Sequence, residues 1–113
     1  QALATIVERG DAVAIAAVSA RLENANWRVR EAAVMALASM AEKGDAVAIA
    51  AVSARLEDTS SVASSFVRAA AVQALATIVE RGDDVAIAAV SARLEDADED
   101  VQFAAIAALP KIA

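Results

Sequence analysis

Apolar residues along this chain recur with helical rather than strand spacing, and one run organises the pattern. Gly44 to Glu57, read as G-D-A-V-A-I-A-A-V-S-A-R-L-E, occurs three times with almost no change, the other copies being Gly10 to Glu23 and Gly82 to Glu95. Self-similarity at this distance is the mark of a stacked array of one supersecondary unit. Each Gly-Asp step reads as a left-handed helix stop followed by an N-cap. Between the copies runs a longer helical pattern: from Trp27 to Lys43, Val29, Ala33, Ala36, Leu37 and Met40 share one stripe. The unit is therefore a helical hairpin, and the chain is expected to be all-α. It should form a right-handed α-α superhelix of antiparallel helix pairs with about seven helices.

Glu8, Glu42 and Glu80 mark equivalent positions 34 and 38 residues apart, so the second interval carries four extra residues. They fall within Asp58 to Val67, and four residues make about one helical turn. The expected form is a helix lengthened at its start, capped by Ser60 or Ser61, with Val62 and Phe66 stacked one turn apart as a protruding contact point. Pro110 stands where earlier copies have Ala38 and Ala76. Lacking an amide donor, it should kink the last helix or end it early. Gln1 to Asp11 returns at Gln73 to Asp83, where a further helical stretch precedes it. The chain thus reads as one repeat domain, 1–113, cut from a longer array, with units at about 1–23, 24–57, 58–95 and a partial 96–113. Neither end carries the polar face that seals a terminal repeat.

Composition narrows the chemistry. With no Cys and no His among 113 residues, thiolate nucleophiles, disulfides, imidazole ligands and Ser-His relays are all removed. No catalytic residue, metal ligand or cofactor site is assigned. Sixteen acidic against ten basic residues leave a net charge of -6, which argues against a phosphate-backbone footprint and hence against nucleic acid. Apolar runs such as Ala12 to Val18 are cut short by polar residues, so no membrane span is expected. No targeting segment is legible, and the compartment stays open, with the cytoplasm or nucleus as the default.

The stretch Val29-Arg30-Glu31-Ala32-Ala33-Val34-Met35-Ala36-Leu37, followed by Gly-Asp, an apolar helix and a Leu-Glu-Asp turn, resembles HEAT-like repeats of the phycobilin-lyase type. Val67-Arg68-Ala69-Ala70-Ala71 and Val101-Gln102-Phe103-Ala104-Ala105 are further copies, so the resemblance covers essentially the whole chain. It implies that the second helix of each hairpin lines a concave face, and that an Asp near the turn pairs with the Arg of the Val-Arg step. Asn24 and Gln102 depart from that pattern. Among enzymatic relatives, di-iron hydroxylases need His-Glu pairs and DNA glycosylases a basic groove, and neither is present. A bilin lyase or isomerase remains as a lesser alternative.

Other candidates have plainer readings. Asp96, Asp98 and Asp100 imitate the start of a calcium loop, but Val101 replaces the glycine at position six and Ala107 the glutamate at position twelve. They read as an acidic helix start. Ser19, Ser53 and Ser91 lack an activating base and read as small residues at helix contacts. Trp27 reads as a residue packed over the turn. On a helical wheel, Ile49, Val52 and Leu56 face the core while Val47, Ala51 and Ala54 point outward. The copies add Val13, Ala17 and Ala20, and Val85, Ala89 and Ala92. These nine residues form an apolar strip along the expected concave face, and with Val62 and Phe66 they are the candidate binding residues. The expected function is a non-catalytic scaffold for a protein or peptide partner; a self-associating spacer, stacking through unsealed ends, is the alternative.

Overall fold

The structure, a computed structural model, describes residues 11–59 and 63–113. Short and long helices alternate: α1 (Ala12–Ser19), α2 (Trp27–Met40), α3 (Ala46–Ser53), α4 (Ser64–Ile78), α5 (Asp84–Ala92) and α6 (Glu99–Ile112). These are six helices among the described residues, with no strand. The seventh expected helix falls in 1–10, outside them, together with the predicted helix stop at Gly10.

The short helices start where the Asp caps were expected. Asp11, Asp45 and Asp83 each accept backbone N–H bonds from the first turn, at 2.9 to 3.1 Å. A carboxylate there satisfies donors that a helix start otherwise leaves orphaned. Each short helix then tightens into a 3₁₀ turn, Ala20–Glu23, Ala54–Glu57 or Arg93–Glu95.

The long helices end sooner than the sequence pattern suggested. α2 stops at Met40, and Ala41 is extended; α4 stops at Ile78, and Val79 is extended. The reason is burial, since Ala41 and Val79 turn their side chains into the core. A four-residue turn follows, closed by Asp45 N–H to Glu42 C=O and by Asp83 N–H to Glu80 C=O. Its third residue is Gly44 or Gly82, with φ of +86° or +83°. That conformation favours glycine. Both glycine amides donate onward, to the carbonyls of Ile78 and Ile112 at 2.6 Å, which ties each turn to the end of the next long helix.

Gly44→Ala and Gly82→Ala should each cost about 1–2 kcal/mol from the left-handed backbone alone. A Cβ at Gly44 meets Glu80 Oε2 at 3.0 Å, whereas one at Gly82 has open space. The glutamate tip can swing away, so urea midpoints of the two variants should nearly coincide. A much larger loss for Gly44→Ala would show Glu80 to be held in place.

Two further expectations are corrected. α4 begins at Ser64, only one position ahead of the equivalent starts of α2 and α6, so it is not longer by a turn; Ser60 and Ser61, the expected caps, lie outside the described residues. Its N-cap position is Ala63, which makes no side-chain cap. The Ser64 hydroxyl donates instead to Asp58 Oδ1 at 2.7 Å, fixing the helix start against the turn. Pro110 neither ends nor shortens α6, which stops at Ile112, the position equivalent to Met40 and Ile78. Proline forfeits a single bond there. The last turn is held by buried Ile112 and by the Ala113 N–H to Leu109 C=O bond.

The core is a continuous set of Ala, Val, Leu and Ile side chains, with Val34, Leu37, Val67, Val72, Leu75 and Val90 fully buried. Long helices pack against one another along their lengths, α2 on α4 and α4 on α6, whereas the short helices meet their counterparts only slightly. The wheel reading holds for Val52 and Leu56. Ile49 is only partly buried, and Ala48 takes the innermost place on α3.

Candidate interaction surface

One edge of the stack is polar and ordered. Arg30 is 2% exposed and grips the Asp58 carboxylate with two bonds, Nε to Oδ2 at 2.8 Å and Nη2 to Oδ1 at 3.2 Å. Its Nη1 reaches the other way, to the carbonyl of Asn24 at 2.8 Å. Arg68 repeats the arrangement, with Asp96 ahead (2.9 and 3.0 Å) and the Asp58 carbonyl behind (2.8 Å). Arg55 and Arg93 add a second guanidinium to Asp58 and Asp96. The planar fork of Arg suits this two-way grip. Gln102 stands at the next equivalent position and makes only the backward bond, to the Asp96 carbonyl. Asn24 contributes its carbonyl to Arg30 and its side chain to the Asn26 N–H.

Bonds of this kind engage two of the three carboxylates that imitate a calcium loop. Asp96 serves Arg68 and Arg93, while Asp98 caps α6 through the N–H groups of Asp100 and Val101. Burial pushes the Asp96 carboxyl up, but the Arg68 hydrogen bond, the Asp98 N–H and the two guanidinium charges outweigh it. The carboxyl lies below its ordinary 3.8. A lowered folded-state value means that its stabilisation is complete above about pH 4 and is lost as pH falls through the folded value. Urea midpoints should therefore drop as pH falls below about 4, and Asp96→Asn should flatten that drop. An unchanged acid slope in the variant would remove Asp96 from the account.

At the same edge, Trp27 and Phe66 stack with centroids 5.1 Å apart and planes at 22°. Arg28 lies over the Trp27 ring at 5.5 Å. Phe66, 52% exposed, thus leans on the neighbouring long helix; Val62 lies outside the described residues. The Trp27 reading, a residue packed over the turn, gains a specific partner.

Phe66, Gln73 and Thr77 fall on one stripe of α4, at i, i+7 and i+11, and all three are exposed. Gln73 and Thr77 form a ridge between two shallow hollows. One, about 320 Å³, lies against α6 and includes Ala104, Ala107 and Lys111. The other, about 180 Å³, lies against α2 and includes Met35 and Ala38. No local sequence pattern announces this furrowed face, although the spacing of Phe66, Gln73 and Thr77 marks its ridge.

The short-helix strip is also on the surface. Val13, Val47 and Val85 are 80%, 60% and 81% exposed. Ala17, Ala20, Ala54 and Ala92 are exposed, and Ala51 and Ala89 are half-buried. The nine residues are spread over three helices that meet only slightly, and Ala17 among them borders a hollow of about 420 Å³ with Val18, Arg21, Val29, Ala32 and Ala33.

Comparison with known families matches HEAT repeats over residues 1–76, about two thirds of the chain. The chain belongs to the HEAT repeat family. The match is to HEAT repeats as a class and does not single out the phycobilin-lyase type. No curated protein matches the chain. HEAT repeats commonly act as protein-interaction scaffolds, and the all-helical, pairwise-packed architecture is what an α-solenoid of HEAT hairpins requires. No helix among the described residues is long and apolar enough to cross a membrane.

Proposed function

We propose that this HEAT array is a non-catalytic scaffold whose protein partner sits on the long-helix side, across α2, α4 and α6. The observation that carries the reading is the pair of hollows flanking the Gln73–Thr77 ridge, with exposed Phe66 stacked on half-buried Trp27 on the same side. Unequal packing supports it. Helices that meet closely crowd one side of a stack, and those that meet slightly splay the other, so the long helices line the narrower, inner side. On this reading the long helices line the concavity in place of the short ones expected from the resemblance. Aromatic side chains held over a preformed surface bind at little ordering cost.

The short-helix strip is the competing surface, favoured by the exposure of Val13, Val47 and Val85. Capture of a defined partner separates the two. Phe66→Ala with Gln73→Glu should weaken it at least tenfold while circular dichroism stays unchanged, and Val47→Asp with Ala51→Asp should leave it intact. The opposite pattern would move the site to the short helices.

A further inference from the structure

We propose that the partner segment on the long-helix face is a polyproline-II stretch that crosses α4 with an apolar and an acidic side chain three residues apart, one in each hollow. The inference rests on the scaffold reading and gives its partner a chemistry. The face belongs to the repeat and not to the chain ends. Met35, Gln73 and Ala107 are equivalent positions in successive long helices, as are Ser39, Thr77 and Lys111, and all six are exposed. α4 is packed between two other long helices, yet Gln73 and Thr77 stay open. A unit added beyond Ala113 would leave this face as it is.

Spacing selects the backbone. The hollows lie on either side of α4, in the gaps to α2 and α6, so their centres are one helix spacing apart, about 8–10 Å. A polyproline-II helix has three residues per turn, which puts side chains i and i+3 on one side about 9 Å apart. A β-strand sets alternate side chains about 7 Å apart and misses the second hollow. An α-helix brings i and i+7 about 10 Å apart, but its carbonyls are spent within the helix. That difference matters at the ridge. The Gln73 side-chain amide has no hydrogen-bond partner among the described residues, while the Thr77 hydroxyl donates to the Gln73 carbonyl. A polyproline-II backbone leaves its carbonyls unpaired, so one lying between the two anchors gives the Gln73 amide an acceptor.

Charge tells the hollows apart. The α2 side is walled by Met35, Ala38, Ala70 and Ala74 and takes the apolar side chain. The α6 side has a similar alanine floor but carries Lys111, whose ammonium has no carboxylate partner among the described residues. A carboxylate three positions from the apolar anchor complements it. The net charge of -6 opposes a run of acidic residues, so a single carboxylate is expected. Either chain direction satisfies the spacing, and both orders are therefore tested.

Fluorescein-labelled P-P-L-P-P-E-P-P and P-P-E-P-P-L-P-P, titrated with the 113-residue chain and followed by anisotropy, should show saturable binding below about 1 mM for at least one order. Moving the acid one position closer, as in P-P-L-P-E-P-P-P, should weaken binding at least threefold. Lys111→Glu should weaken it about fivefold, and a peptide with K in place of E should bind that variant better than it binds the unaltered chain. Gln73→Leu should also weaken it about fivefold. Both side chains are exposed, so helicity should not change. No binding of either order, or binding indifferent to spacing and to Lys111→Glu, would overturn the polyproline-II assignment and leave the scaffold reading to the capture test with Phe66→Ala and Gln73→Glu. Binding lost on Val47→Asp with Ala51→Asp, and untouched by Lys111→Glu, would overturn both.

Discussion

Replacing Arg30 by methionine is expected to cost about 3–5 kcal/mol, the largest loss of any single change at the polar edge. The substitution keeps much of the side-chain volume and removes the charge. What makes it severe is the carboxylate left behind: the Asp58 side chain is 0% exposed, and Arg30 supplies two of its bonds. Arg55 still reaches Asp58 at 3.2 Å and Ser64 still donates to it, but neither replaces the buried fork. Against a stability of about 5–15 kcal/mol for an ordinary domain, such a loss is a large fraction. Arg30→Met combined with Asp58→Leu should regain much of it, since removing both charges removes the buried carboxylate that has lost its main counter-charge. Urea unfolding of the two variants measures this directly. A single-variant loss below about 1 kcal/mol would mean that water reaches Asp58 once Arg30 is gone.

Leu75→Ala should cost nearly as much, about 3–5 kcal/mol, whereas Leu109→Ala should cost about 1–2 kcal/mol. The two leucines hold the same position in successive units. Leu75 is fully buried between long helices, while Leu109 is only partly buried on the last one. Identical chemistry with different losses would show that neighbours, not the unit itself, complete each core. Equal losses would mean that a hairpin stabilises itself alone.

The repeated Gly-Asp step, the alternation of helices and the Asp caps were legible because each is local: a residue acts on its own first turn. Helix ends were less so. Lys43 looked like the end of α2 because Glu42 and Lys43 are good helix formers, but burial of Ala41 in the assembled core ends it at Met40. The lengthened start of α4 failed for a similar reason, as the Ser64–Asp58 bond draws on a residue six positions back. Pro110 obeyed its local rule, losing one donor, but packing of Ile112 kept the last turn in place. The valine strip was readable from a single helix. The furrows beside Gln73 were not, since their walls come from units more than thirty residues apart and consist mostly of alanine.

The two-way grip of Arg30 and Arg68 also says where the chain tolerates insertions and deletions. Arg30 to Asp58 and Arg68 to Asp96 are both spans of 28 residues, although the hairpins differ in length by four. The added residues lie between Asp58 and Ser64, outside both spans. Arg68 reaches back across them to the Asp58 carbonyl, over ten positions rather than the six that separate Arg30 from Asn24. Length can thus vary at this seam while the spacing between clamps stays constant, making it the natural graft point for a loop or a whole inserted module.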